Sequence, residues 1–316
     1  MTEVFEVVLR LSGYGLVAAL VVALAVLLLS RTRCSKTVLL LLFAVVALRL
    51  VCPWSPPSPL SLFNAGFLDS YARQKGPALV DSYVGEYEIA VDMGGSAGDY
   101  DQGVDAGVEP TYNAELEQWV VRYHKDETGA ITPAKTAREV YGPILSAIWL
   151  AGAAGFLLYG AVSYLLLKRR LRFAVRDEAI PGVWYSDRIP SPCVAGLFRP
   201  KIYLTFGLTE EEKGYVLAHE RQHIKNGDHI WKVLAWLIMC VHWFNVSLWV
   251  LFYRALLWLT EEACDQRVLR QLGEDKKADY GQVLLSLSAG RRFRLSPSPI
   301  AFGEGDTKSR VKVILK

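Results

Sequence analysis

His219-Glu220-Arg221-Gln222-His223 sets two imidazoles four residues apart with a carboxylate beside the first. The run Glu210 to Lys225 reads as one amphipathic helix, on which residues four apart share a face, so both rings can offer a nitrogen to one metal ion. Glu220 is then placed to take a proton from water held there, which is the zinc-hydrolase arrangement. A surface helix that carries two histidines and a glutamate by chance has the same five letters. A second constellation is Glu261-Glu262-Ala263-Cys264-Asp265, with Glu261 and Asp265 four apart on a helical face. One of these carboxylates can bind a metal while the other accepts the free ring N–H of a ligand histidine and fixes its orientation. Without the upstream motif, an acidic helix start favoured by the macrodipole would account for both. His229 is a rival third ligand, ten residues after His219 as in metzincins. Asn226 stands where that motif needs glycine, followed by Gly227.

The elements that must hold these groups are largely membrane helices. The chain has 316 residues, is 52% hydrophobic and carries a formal charge of only +3, a balance that fits a membrane protein and argues against direct nucleic-acid binding. Cys34, Cys52, Cys193, Cys240 and Cys264 show no CxxC spacing, so neither a disulfide framework nor a cysteine zinc site is expected. Leu11 to Leu29 is an uncharged apolar run long enough to span a bilayer, and Arg31, Arg33 and Lys36 follow it instead of preceding it, unlike a signal peptide. Val38 to Trp54 is a second span with Arg49 near its end, closed by Pro53, Pro56, Pro57 and Pro59. The short basic loop between the two is expected in the cytoplasm, with the N-terminus outside.

Residues 60–139 form a polar outward appendage, with strand-like Tyr83–Tyr87 and Trp119–Tyr123 around a Gly/Asp-rich middle, Gly94 to Gly107. A ligand sensor and a variable loop are equally compatible with this stretch. Tyr141 to Leu167 is a third span, and Lys168-Arg169-Arg170-Leu171-Arg172 after it places the rest in the cytoplasm. Short extended pieces between Phe173 and Thr209, with Pro190, Pro192 and Pro200, predict a small sheet whose edge could pair with an extended peptide or be merely structural. Thr209 and Glu212 make a capping box for the HExxH helix, and Gly227 ends it. Ile230 to Leu259 would pass for a fourth span. If Glu261 is a ligand, however, one crossing would carry it away from His219 and His223. The prediction is a membrane-associated helical hairpin broken at His242-Trp243-Phe244-Asn245, with Asn245 capping the second arm.

HExxH, a tryptophan- and leucine-rich insert containing Trp243-Phe244-Asn245, and Glu261-x-Ala263-Cys264-Asp265 followed by Val268-Leu269 resemble the BlaR/MecR-type integral-membrane metallopeptidases, the signal transducers of beta-lactam resistance. Ser191-Pro192 to Pro200-Lys201-Ile202-Tyr203-Leu204 and Ala301-Phe302-Gly303-Glu304 are also similar to that family, so the resemblance covers about Ser191 to Lys316. It implies one catalytic Zn2+ ion bound by His219, His223 and Glu261, with Glu220 as general base and Asp265 as the carboxylate that orients a ligand. Because the family pattern includes Glu261, it favours that residue over His229, which is then an interfacial histidine.

The implied fold is an α-helical membrane protein with an α+β, gluzincin-like zinc metallopeptidase domain at the cytoplasmic face, built from three transmembrane helices plus the hairpin. The expected organisation is 1–59 two spans, 60–139 outer appendage, 140–172 third span and 173–316 peptidase domain including the hairpin 230–259. The implied function is a metalloendopeptidase in signal transduction that cleaves a cytoplasmic winged-helix repressor and its own chain. Expected partners are that repressor, the lipid bilayer and a second copy in a homodimer. Arg291 to Ser298 is a loop candidate for self-cleavage or a basic membrane tether. The family's antibiotic sensors continue into an extracellular penicillin-binding domain. These 316 residues contain none, and the outer loop has no Ser-x-x-Lys, so a peptidase without that sensor is expected. The competing class is a non-catalytic membrane signalling or scaffold protein with a structural zinc site. A transporter is disfavoured because no acidic residue sits mid-span.

Overall fold

The computed structural model describes residues 1–29, 36–53, 88–91, 111–113, 118–125, 127–128, 130–289 and 307–314. Arg31, Arg33, Pro56 to Pro59, Tyr83–Tyr87, Gly94 to Gly107, Arg291 to Ser298 and Ala301 to Glu304 lie outside the described residues. The chain divides into two compact units, one comprising residues 1–3 and 54–148, the other 4–53 and 149–316.

The first unit holds an antiparallel sheet of β1 (Glu88–Val91), β2 (Thr111–Asn113), β3 (Gln118–Lys125) and β4 (Ile131–Pro133). The eight-residue β3 is its centre and pairs with the other three strands. Its β-branched and aromatic side chains Val120, Val121 and Tyr123 are buried, as suits a half-covered pleated surface. Thr136 and Glu139 form a reciprocal cap, Thr136 N–H donating to Glu139 Oε2 at 2.8 Å and Glu139 N–H to Thr136 Oγ1 at 3.3 Å. This cap starts α3 (Ala137–Leu171), four residues before the predicted span.

In the second unit, α1 (Thr2–Leu29) and α3 are the described helices long and apolar enough to cross a membrane, with 28 and 35 residues. At 1.5 Å per residue each exceeds a hydrocarbon core of about 30 Å. Many of their leucines face outward, Leu24 being 57% and Leu158 66% exposed, while Leu11 and Leu167 are buried. The second predicted span is α2 (Lys36–Val51), 16 residues or about 24 Å long, which begins two residues before the expected Val38 and ends three before Trp54. One face of α2 buries Leu39, Phe43, Val46 and Leu50 at helical spacing, and the other exposes Leu41, Val45 and Leu48.

After α3 comes a four-stranded sheet in the order β5 (Val175–Arg176), β6 (Val183–Tyr185), β8 (Lys201–Leu204), β7 (Cys193–Ala195), so β7 is an edge. β6 and β8 run parallel and the other pairs antiparallel. α4 (Glu210–Asn226) begins at the expected Thr209–Glu212 capping box and stops at Gly227, whose φ of 72° closes the last turn through its N–H to His223 and Ile224 carbonyls.

The apolar stretch 230–259 is not one helix. α5 (Asp228–Val241) ends at a turn through His242, and a short helical turn, Val246–Leu248, and π-helical Trp249–Arg254 lead into α6 (Ala255–Leu272). Polar side chains at the turn find protein partners, as irregular backbone in an apolar setting requires. His242 Nε2 lies 3.1 Å from the Leu50 carbonyl of α2, Asn245 Nδ2 donates to Ser12 Oγ of α1 at 2.9 Å, and Trp243 Nε1 donates to the Trp149 carbonyl of α3 at 3.0 Å. Asn245 Oδ1 caps the return arm through Leu248 N–H at 3.3 Å. On α3, Gly152 and Gly160 seat Trp243 and Trp236, because a Cβ at either would collide with the indole.

One apolar cluster joins α2, α5 and the first half of α6, and another joins the sheet, α4, the second half of α6, α7 (Lys277–Ala289) and α8 (Thr307–Ile314). Where α6 passes from one cluster to the other it buries Thr260, Glu261, Glu262 and Asp265.

Candidate metal centre

The polar layer on α6 faces the histidines of α4. His219 Nε2 and His223 Nε2 stand 3.0 Å apart with the rings nearly perpendicular. Glu261 Oε2 is 3.5 Å from His219 Nε2, and Oε1 is 3.5 Å from His223 Nε2. All three side chains are at least nine-tenths buried. The hairpin therefore returns Glu261 to the side of α4 from which the chain left.

The other ring nitrogens settle which way the lone pairs point. His223 Nδ1 is 2.6 Å from Asp228 Oδ2, and a carboxylate there can only accept, so Nδ1 carries the proton. Tyr280 hydroxyl donates to Asp265 Oδ1 at 2.7 Å, which leaves its oxygen to accept from His219 Nδ1 at 2.8 Å. Asp265 Oδ1 is itself 3.3 Å from that nitrogen. Both Nε2 atoms thus present lone pairs to each other and to a carboxylate, a convergence that only a shared cation relieves.

The surrounding charges agree with this. Three buried carboxylates, Asp228, Glu261 and Asp265, face two buried cations, Lys232 and Arg310. Lys232 Nζ holds Glu261 Oε1 at 3.1 Å, while Arg310 reaches Glu261 Oε2 at 3.1 Å and grips Asp265 through Nε and Nη2, both at 2.8 Å. Burial would raise both acids, yet Lys232, His223 and Arg310 hold Glu261 well below the usual carboxylate range, and His219 and Arg310 hold Asp265 at about 2. Burial disfavours a charged His219, but Cys264, Tyr280 and Asp265 push it well above the ordinary histidine value. Glu261 and Cys264 do the same to His223 against its burial. In a metal-free protein a proton takes the place the field reserves for a cation.

Cys264 competes with Glu261 as third donor, because its Sγ and one nitrogen from each histidine all lie within 4.8 Å of one another. Its Sγ donates to the His219 carbonyl at 3.4 Å and stands 3.6 Å from Nδ1, the nitrogen already committed to Tyr280. Glu261 instead faces both bare nitrogens, so its carboxylate converges with them as Cys264 does not. His229 belongs to no converging donor group among the described residues, and its buried Nδ1 has no hydrogen-bond partner there.

Glu220 is half-buried next to His219 on α4 and makes no hydrogen bond or ion pair among the described residues. Its charge reaches the edge strand β7. Burial first, then Glu220, pushes the Cys193 thiol up to about 12, so that thiol stays neutral.

Five contributors have no local signature in the sequence. Asp228 is brought beside His223 by the left-handed turn at Gly227, and an acid directly after a helix-ending glycine was the only available hint. Lys232, Cys264, Tyr280 and Arg310 come from α5, α6, α7 and α8, and Arg310 meets Asp265 across 45 residues of chain.

The family described as BlaR1 peptidase M56 matches residues 108–314. Similar proteins include one named "Methicillin resistance mecR1 protein" in Staphylococcus aureus and one of the same name in Staphylococcus epidermidis, each 30% identical over 109 residues, which cover 33% of this chain. That stretch spans 18% of the length of each relative. With most of its length matched and a buried His-His-Glu centre in the matched part, the chain belongs to the BlaR1 peptidase M56 family.

Proposed function

We propose that the protein is a membrane-embedded zinc metalloendopeptidase of signal transduction in antibiotic resistance regulation, which hydrolyses a peptide bond of a cytoplasmic winged-helix repressor and of its own chain. The observation that carries this reading is the convergence of two Nε2 lone pairs and the Glu261 carboxylate beside Glu220, which has no partner among the described residues. His219, His223 and Glu261 would hold a zinc ion, which would supply Lewis acidity toward a peptide carbonyl and a water molecule. Glu220 takes the proton from the attacking water and returns it to the leaving amine. Asp228 and the Tyr280–Asp265 pair keep each imidazole in the Nδ1–H tautomer. Lys232 and Arg310 hold Glu261 in its ionised form and fix both its oxygens.

The free edge of β7, with Cys193 close enough to feel Glu220, suits an extended peptide added as the next strand. The basic run Lys168–Arg172 at the end of α3 favours an outside N-terminus and a centre at the cytoplasmic face. A structural zinc site in a non-catalytic scaffold is the second reading, favoured by the way Arg310, Asp265 and Tyr280 tie three helices together.

Zinc content and hydrolysis of a peptide library by detergent-purified protein separate the two. We expect one zinc in wild type, Glu220→Gln and Cys264→Ser, and loss of most zinc in Glu261→Ala. Hydrolysis should fall by about 10²- to 10⁴-fold in Glu220→Gln, the range for a general base. Zinc retained in Glu261→Ala but lost in Cys264→Ser would transfer the third ligand to sulfur. A zinc-loaded wild type that cleaves neither peptides nor itself would favour the scaffold.

A further inference from the structure

The last turns of α3 and the β7–β8 turn enclose a cleft of about 520 Å³ that the metal centre does not use. α3 contributes Lys168, Arg169 and Arg172 to it, and the strands contribute Arg199 and Lys201. None of the five forms an ion pair with a described residue, so the positive charge gathered here has no counterion among the described residues. The inner wall is apolar, made by Leu165, Leu167 and Leu171, and Tyr164 and Tyr203 place two phenols against it. A smaller cleft of about 380 Å³ shares Arg169 and Arg172 and adds Arg170, Arg188 and Phe173.

Two further features set the orientation. The outward leucines of α3 lead directly into the cleft, so its apolar wall continues the apolar surface of the helix. At the β7–β8 turn, Gly196 has a φ of 110°, and a Cβ there would strike the Arg199 carbonyl. This tight turn leaves Phe198 92% exposed beside the exposed Leu197. An exposed phenylalanine followed by Arg199 and, two residues on, Lys201 is the composition of an interfacial anchor.

We propose that this cleft binds an anionic phospholipid, its phosphate among Arg169, Arg172, Arg199 and Lys201 and its acyl chains along Leu165, Leu167 and Leu171. Charge complementarity requires an anion, and apolar walls continuous with a membrane helix select a lipid over an acidic peptide, which would need no such continuity. The volume is that of an ordinary small-ligand site. Because the edge strand β7 pairs with β8, which carries Lys201, a bound lipid fixes the height of the candidate substrate edge above the bilayer. The proposal rests on α3 crossing the membrane, and the test treats that separately.

Full-length protein is reconstituted in nanodiscs of phosphatidylcholine containing a small fraction of spin-labelled phosphatidylglycerol or, in a parallel set, spin-labelled phosphatidylcholine. Wild type should immobilise the phosphatidylglycerol label in preference to the phosphatidylcholine label. Arg169→Gln/Arg172→Gln/Arg199→Gln/Lys201→Gln should lower that selectivity by at least about tenfold. Arg169→Lys/Arg172→Lys/Arg199→Lys should keep most of it, which guards against a merely misfolded variant. Equal immobilisation of the two lipids by wild type overturns the proposal, as does displacement of phosphatidylglycerol by a soluble polyglutamate peptide or by inorganic phosphate at matching concentration. Extraction of wild type from membranes by alkaline carbonate would instead overturn the reading of α3.

Discussion

A histidine pair becomes a metal site only when the protons on its far nitrogens are accounted for. Here Asp228 and Tyr280 take the two Nδ1–H groups, so His219 and His223 meet through bare Nε2 atoms 3.0 Å apart. In metal-free protein the surrounding anions raise both histidines above 6.5 despite burial. A raised folded value contributes stability that is full below the unfolded value of about 6.5 and is lost as pH rises through the folded value. Zinc needs both rings neutral, so its binding strengthens over the same rise. The difference in Tm between zinc-loaded and zinc-free protein should therefore widen between about pH 6 and about pH 8. A difference that stays constant or narrows would mean that His219 and His223 are not the groups zinc displaces protons from.

The elements act by reversal. α4 stops at Gly227, α5 leaves, and the chain turns back through His242–Asn245 so that α6 delivers Glu261. α5 has 14 residues, and at about 21 Å it is too short to cross a core of about 30 Å. The turn depends on Asn245, which both caps the return arm and bonds Ser12. Asn245→Ala removes a cap worth about 1 kcal/mol and a buried hydrogen bond worth about 1 kcal/mol. We expect a lower Tm in detergent and weaker zinc retention, with Asn245→Asp recovering the cap. Unchanged zinc retention in Asn245→Ala would mean that the arms of the hairpin hold their register without the turn.

Across the whole molecule, the buried polar layer of α6 is tied to the start of α2 by a buried ion pair. Lys36 Nζ at the start of α2 lies 2.9 Å from Glu262 Oε1, next to Glu261, and both side chains are less than a tenth exposed. Removing one partner of such a pair costs about 3 to 5 kcal/mol because the other charge is left buried, whereas replacing both by apolar groups is often nearly neutral. Lys36→Met should lower the Tm of the detergent-solubilised protein, and Lys36→Met/Glu262→Met should restore most of it. A double variant as unstable as the single one would show that Lys36 acts through other groups.

The local features were legible in the sequence because each depends on neighbours along the chain. HExxH follows from helical spacing, the start and stop of α4 from Thr209, Glu212 and Gly227, and the break at Asn245 from its capping chemistry. The beginning of α3 was missed although its signal, Thr136 with Glu139, was of the same local kind. α2 ends at Val51 instead of Trp54, because the ring of Pro53 disfavours helical backbone at the residue before it. Tertiary structure alone decided which groups surround His219, His223 and Glu261. Asp228, Lys232, Tyr280 and Arg310 are ordinary residues in their own segments and acquire a role only when α5, α7 and α8 close around α6. Their partners are chosen by burial, where an unpaired charge or an unshared lone pair costs most, and no spacing in the sequence encodes that cost.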